Sequence, residues 1–277
     1  MEEPGLRAAL THSRDVCGYD GMIFVPALVH ESLTPKKVAL IFRDEGMTGL
    51  ACGFNAGNGP DNLKESSLVA FENLTQQALF AVALAEESVG PAVMAGPMQA
   101  HHRNQRPDWV SGNLNQSYRS WLKRVNTIGK TYDLRMCCEV LNEAEEGTPD
   151  PFNLLHRTIA DDDLTNVGLH LDIGHFHMRG MTMEDFERLA PITGLLEFAN
   201  MGRNPLHHKK GIRFLDFVER MHLLREDCQL SNEPFHAAVI KAFGLESLCN
   251  TTTDGLECLQ MDAESLEKLL VKTPFSP

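Results

Sequence analysis

Short apolar runs alternate along the chain with longer stretches whose apolar positions recur at helical spacing. The runs MIFVPAL (22–28), GLACGF (49–54), PAVMAG (91–96), LRMCCEVLN (134–142), VGLHLDI (167–173), ITGLLEFAN (192–200) and CQLSNEPF (228–235) read as strands, too short for helices and bounded by polar or glycine-rich turns. Between them the pattern predicts helices over 34–46, 64–88, 113–131, 151–161, 182–190 and 212–224, with a closing helix over 262–272. The segment TPKKVALIFRDEG (34–46) carries its own boundaries: Thr34 as N-cap, Pro35 at the first helical position and Gly46 past the end.

Strands separated by helices imply βαβ units and a parallel sheet. Asn55, Gln99, Glu139, Asp172, Glu197 and Glu233 all fall at or just past C-terminal strand ends. A (β/α)8 TIM barrel carries its active site on that face. A doubly wound sheet would also bind ligands there, but no glycine-rich phosphate fingerprint follows an early strand, so the barrel is favoured. The first strand is missing or atypical: the segment 4–21 reads as a helix ending in a Gly-Tyr-Asp-Gly turn, and nothing strand-like precedes it. No linker or internal repeat interrupts the pattern, so the expectation is one barrel domain over 1–277. The stretch 241–260 is a long insertion before the last helix, of a kind that can reach a neighbouring subunit.

Composition narrows the function classes. Hydrophobic residues make up 43% and charged residues 23%, ordinary for a chain with a sizeable core. The formal net charge of −13 argues against a surface that tracks nucleic-acid phosphates. Seven cysteines, an odd number without a CxxC, read as buried thiols in a reducing compartment. No apolar run approaches the ~20 residues of a membrane span. The acidic N-terminus lacks the order of a secretory signal, so the expected setting is cytoplasmic, with no membrane partner.

Glu139, Asp172 and Glu233 end three apolar strands. Burying several carboxylates together is costly unless a cation balances them. Oxygen donors with at most one imidazole suit Mn²⁺ or Mg²⁺, with Co²⁺ as a third option, better than Zn²⁺. Side chains alternate along a strand, so His170 and Asp172 share a face, and His175 lies past the turn over the mouth. His170 reads as a core histidine or as the partner of a ligand. His177 reads as facing the helix layer or a loop.

Three of these stretches together resemble the xylose-isomerase-like barrel superfamily, and within it the ketose 3-epimerases of the tagatose/psicose type. Glu139-Val140-Leu141-Asn142-Glu143-Ala144-Glu145 is similar to that family's E-V-x-N-x-x-E, His170-Leu171-Asp172-Ile173-Gly174-His175 to its L-D-x-x-H, and Glu233-Pro234-Phe235 to its E-P-F. The resemblance implies that Glu139 and Glu233 bind a divalent metal and serve as the acid/base pair. It implies that Asp172 binds the metal and that Glu145 and His175 contact substrate. The family's metal-binding histidine on its seventh strand has no counterpart. The chain reads Leu196-Glu197-Phe198-Ala199-Asn200-Met201-Gly202-Arg203, which offers Glu197 as the replacement ligand and Arg203 as an anchor for a substrate hydroxyl or carboxylate. Ala199-Asn200 and Gly202-Arg203 are also similar to hydroxypyruvate isomerases. Gly96-Pro97 matches a pair that the family places beneath the sugar; His101, His102, Arg103 and Trp109 follow it as candidate pocket residues.

The expected function is therefore a metal-dependent isomerase or epimerase acting on a ketose or small hydroxy-keto compound through an enediolate, in a homodimer or homotetramer. A dehydratase of the same superfamily and a non-catalytic barrel acting as a binding module are the alternatives. An endonuclease-IV-like repair enzyme would need a histidine-rich zinc cluster and a basic face, which the charge argues against.

Overall fold

The structure, a computed structural model, describes residues 1–53, 66–98, 113–143, 145, 148–199 and 213–232, together with 261, 264, 265 and 268. Seven parallel strands, joined in the order in which they occur, form a nearly closed barrel with helices around it. They are β1 (Gly21–Phe24), β2 (Thr48–Cys52), β3 (Val93–Gly96), β4 (Arg135–Glu139), β5 (Val167–Asp172), β6 (Thr193–Phe198) and β7 (Gln229–Asn232). β3 to β7 lie inside the predicted apolar runs, and β1 and β2 begin one residue ahead of theirs, at Gly21 and Thr48. The helix α1 (Glu3–Asp15) precedes β1, and no strand stands before it.

The helices follow the polar punctuation. In α2 (Pro35–Asp44), the Thr34 hydroxyl accepts from the Lys37 N–H, and Gly46 takes a φ of 66°, a conformation that favours glycine. The helices α3 (Ser67–Glu86), α4 (Leu114–Tyr132), α5 (Pro151–Asp161) and α7 (Met183–Leu189) also lie where the periodicity predicts them. Residues 261, 264, 265 and 268 are helical, within and beside the expected closing helix.

Two helices depart from the expectation. The short α6 (Ile173–Met178) follows β5 directly, because the Asp172 side chain caps it by accepting from the His175 N–H at 3.0 Å. The predicted helix over 212–224 is a single turn or so of α-helix, α8 (Phe214–Val218), followed by a 3₁₀ turn over Met221–Leu223.

The expectation about apolar length is also corrected. At 20 residues, α3 is long and apolar enough to cross a membrane by length and composition alone. Its alanine-rich composition raises the average despite Glu72, Asn73, Gln76 and Gln77. In the fold, Ala70, Leu74, Ala78, Ala81 and Leu84 are buried in the main hydrophobic core.

That core lies between the sheet and the helices. Met94, Met136, Cys138, Leu169, Leu171, Leu196 and Phe198 face outward into it. The alternate positions face the barrel axis, where Leu50, Val93, Ala95, Cys137 and Leu195 form a second, smaller apolar cluster with Ile23 against it. Five free cysteines are described: Cys17, Cys52, Cys137, Cys138 and Cys228. Burial pushes the Cys137 thiol up to about 11 and the Cys228 thiol to about 12, so both stay protonated near neutral pH.

One irregularity sets the chemistry of the barrel mouth. Between β5 and β6 the pairing runs Leu169↔Thr193, then His170↔Leu195, so Gly194 is an extra residue in β6. Beyond it Asp172 pairs with Glu197. Paired residues of parallel strands point the same way, so the bulge turns Glu197 inward; an unbroken register would have put Leu196 there. A side chain at Gly194 would meet Cys137 Sγ at 2.5 Å and Arg135 Nε at 2.9 Å, which restricts this position to glycine.

Candidate metal centre at the barrel mouth

The C-terminal ends of three adjacent strands bring ionisable groups together. β4 supplies Glu139, β5 supplies His170 and Asp172, and β6 supplies Glu197. The first turn of α6 adds His175, and the loop after β4 adds Glu145. All six are buried, none more than 5% exposed. Among the described residues no lysine or arginine is buried.

Glu139 is the hub. His175 Nε2 lies 3.3 Å from its Oε1, and His170 Nδ1 lies 3.7 Å from its Oε2. Glu139, Asp172 and His175 form one group whose donor atoms all lie within 4.8 Å of one another; Glu139, His170 and Glu197 form a second. His175 Nε2 is also 3.7 Å from Asp172 Oδ2 and 4.0 Å from Glu145 Oε2.

The histidines differ in their partners. His175 Nδ1 accepts from the Asn142 backbone N–H at 3.1 Å and faces Asn142 Nδ2 at 3.1 Å. The neutral ring therefore carries its proton on Nε2, which points at Glu139. Asn142 is itself fixed, because its amide donates to Glu145 Oε1 at 2.7 Å and its carbonyl oxygen accepts from the Glu145 N–H at 3.2 Å. His170 Nε2 instead lies 2.7 Å from Glu197 Oε2, and the Ser231 hydroxyl on β7 donates to Glu197 Oε1 at 3.2 Å. The other nitrogen of His170, Nδ1, is buried without a hydrogen-bond partner.

Electrostatics sharpen this picture. Burial opposes a charge on His170, but Glu139, Glu197 and Asp172 outweigh it and raise the pKa to about 9. An imidazolium is the state that this carboxylate cluster favours when protons are its only cations. His177, by contrast, packs edge-on to Phe217 at 5.8 Å on the helix side of α6, where burial lowers its pKa.

Of the residues named from the sequence, the structure brings together Glu139, Glu145, Asp172, His175 and Glu197. Glu233, Arg203, Asn55, Gln99, His101, His102, Arg103 and Trp109 lie outside the described residues, as does the insertion 241–260. Sequence reasoning gave little weight to Asn142 and His170. The signal for His170 was present in its spacing: it stands two residues before Asp172 and so shares the inward face. The signal for Asn142 was weaker, a polar side chain closing an apolar run.

The donor set fits a divalent cation. It is buried, dominated by carboxylate oxygens, and includes an imidazole nitrogen with no hydrogen-bond partner. Such oxygen-rich sets hold Mg²⁺ or Mn²⁺ more naturally than Zn²⁺.

No family model matches the sequence, and no curated relative is found by sequence comparison. Comparison of the fold finds clear likenesses. An L-ribulose 3-epimerase superposes with a TM-score of 0.77 at 18% identity, over 99% of this chain and 94% of that one. A D-psicose 3-epimerase from Clostridium cellulolyticum H10, solved with D-tagatose, gives 0.73 at 14% identity, over 95% and 93%. A xylose isomerase-like TIM barrel protein from Mycobacterium smegmatis, in complex with magnesium, gives 0.59 at 16% identity, over 98% and 89%. Across nearly its whole length, the chain has the fold of the xylose isomerase-like barrels and of the ketose 3-epimerases built on it.

Proposed function

We propose that this protein is a divalent-metal-dependent isomerase or epimerase that moves a proton next to the carbonyl of a ketose or small hydroxy-keto compound. The observation that carries the reading is the convergence on Glu139 of two buried groups, Asp172 with His175 and His170 with Glu197, each with donor atoms within 4.8 Å of one another, at the C-terminal end of a barrel. Similarity in fold to sugar epimerases, among them structures with D-fructose and D-tagatose, supports the substrate class. Glu139, Asp172 and Glu233 would hold the cation, Mn²⁺ or Mg²⁺, with Glu197 or an imidazole completing the set. When bound, such an ion supplies Lewis-acid stabilisation of negative charge developing on a substrate oxygen.

The side chains divide the remaining work. Glu139 and Glu233 form the acid/base pair: one takes the proton from the carbon beside the carbonyl and the other delivers one. Return to the same carbon on the opposite face gives the epimer; delivery to the neighbouring carbon gives the aldose or ketose isomer. His175 presents Nε2–H toward Glu139 and the mouth, held in that tautomer by Asn142, and donates to a substrate oxygen. Glu145, fixed through the same asparagine, accepts from a substrate hydroxyl. Arg203 would anchor a substrate hydroxyl or carboxylate. The apolar layer beneath, with Leu195, Cys137 and Val93, excludes water from below.

The test is proton exchange. Metal-stripped protein is reloaded with Mn²⁺ and incubated in D₂O with D-fructose, D-tagatose, D-psicose and L-ribulose, and the sugars are followed by NMR. Deuterium should appear beside the carbonyl only with the metal, and should disappear with Glu139→Gln. A product short of one water would identify a dehydratase instead. No exchange, combined with no sugar-dependent melting shift in the loaded protein, would sink the enzyme reading.

A further inference from the structure

The two groups that share Glu139 place their imidazoles differently, and the difference decides which ring can bind an ion. We propose that His170 Nδ1 is the imidazole ligand of the cation, and that Glu197 is not a ligand but the group that orients the His170 ring from behind. This rests on the metal-dependent reading above and specifies the one donor that the carboxylates leave open.

A neutral imidazole has one proton and one lone pair. In His175 the lone pair on Nδ1 is taken by the Asn142 N–H, so the nitrogen facing Glu139 carries hydrogen and cannot coordinate. In His170 the arrangement is reversed. Nε2 donates to Glu197 Oε2 at 2.7 Å, which leaves the lone pair on Nδ1, facing Glu139 Oε2. That nitrogen is buried, on a residue 3% exposed, and has no hydrogen-bond partner. Its 3.7 Å separation from Glu139 Oε2 is too long for a hydrogen bond. It is the right separation for two ligands of one ion, since donors about 2.1 Å from an octahedral metal stand between about 3 Å and about 4.2 Å apart.

Glu197 has the features of an orienting group. Both of its oxygens are engaged, Oε2 by His170 and Oε1 by the Ser231 hydroxyl. A carboxylate holding the far N–H of a ligating histidine fixes the tautomer and raises the basicity of the ligating nitrogen. The bulge at Gly194 places Glu197 inward and so makes this support possible. Glu139 then divides its oxygens between two tasks: Oε2 faces the ion beside His170, while Oε1 faces His175 and remains for proton transfer.

Pulsed electron paramagnetic resonance of the Mn²⁺-loaded protein tests this without reference to turnover, because a directly bound imidazole gives a nitrogen coupling. The wild type should show that coupling. His170→Gln should lose it and bind Mn²⁺ at least about 100-fold more weakly. Glu197→Gln, whose amide oxygen still accepts from Nε2–H, should keep the coupling and bind about 10-fold more weakly, the range expected for a lost orienting carboxylate. His175→Gln should keep both coupling and affinity within a few-fold, which guards against a His170 variant that fails to fold. Loss of the coupling in His175→Gln, or its persistence in His170→Gln, overturns the assignment. Mn²⁺ bound by the wild type without any nitrogen coupling overturns it too, while leaving the metal-dependent reading standing. Failure of the wild type to bind Mn²⁺ sinks both.

Discussion

The floor and the mouth of this barrel are built from the same strands and differ by one pleat. On β4 the inward residues run from Cys137 to Glu139, and on β6 from Leu195 to Glu197. A step of two residues, about 7 Å along the axis, changes the interior from sealed apolar packing to a cluster of carboxylates and imidazoles. The floor gains stability from close packing. The mouth gathers groups that repel one another and hold together only with a positive charge among them. The contrast teaches that stability and chemistry here are assigned to layers rather than to separate segments, so mutations in the two layers should fail in opposite ways.

The largest effect expected is on chemistry, at the mouth. Glu139→Gln should lower turnover by about 10³-fold, within the usual range for a general acid or base, while the far-UV spectrum and melting temperature change little. Steady-state rates together with thermal melts check this; a collapse of the fold would show that the two layers are not separable.

On the floor, Leu195→Ala should show the converse. Leu195 is fully buried, and such truncations cost about 2–5 kcal/mol. Denaturant titration measures the loss. The protein that remains folded should retain its activity within a few-fold.

The third test separates the layers by pH. His170 has a folded-state pKa raised to about 9 from an ordinary 6.5. Its contribution to stability is thus fully present below about pH 6.5 and is lost as pH rises through about 9, up to roughly 3 kcal/mol in the metal-free protein. Urea titrations in the presence of a chelator should show that decline. His170→Gln should flatten it, whereas Leu195→Ala should lower the curve without changing its shape.

The smallest effect lies at the joint between the layers. Gly194→Ala would press a methyl against Cys137 and Arg135, and should cost about 1–3 kcal/mol, as overpacking does. Metal affinity should fall with it, because the displaced strand carries Glu197. Unchanged Mn²⁺ binding in a destabilised Gly194→Ala would uncouple the bulge from the site.

Much of the architecture could be read from periodicity alone. Buried parallel strands are short apolar runs, and the amphipathic stretches between them carry caps such as Thr34. The missing strand before α1 could also be read, because the segment that opens the chain has helical spacing up to its Gly-Tyr-Asp-Gly turn and folds as a helix over Glu3–Asp15. The short α6 could not: IGHFHM has no separate start signal, since its cap is Asp172, a residue already given to the metal. The inward direction of Glu197 was equally hidden. Simple alternation leaves it facing either the axis or the helices, and only the pairing with β5 reveals the extra residue. The clue was Gly194 itself, since a glycine inside a strand is a common mark of a bulge. The two histidines were visible as residue types, but their tautomers depend on Asn142 and Glu197, partners 33 and 27 positions away.

The extra residue in β6 also bears on how this protein can change. Substitutions throughout that strand alter one side chain each. Deleting Gly194 would restore an unbroken pairing and leave Glu197 opposite Asp172, whereas inserting a single residue ahead of Leu195 would turn a whole segment over, exchanging Glu197 for Leu196 at the axis while composition stayed almost the same. Lengthening this strand is therefore under a stricter constraint than the identity of most of its residues, and a one-residue insertion at this point would convert a hydrophilic opening into a greasy one.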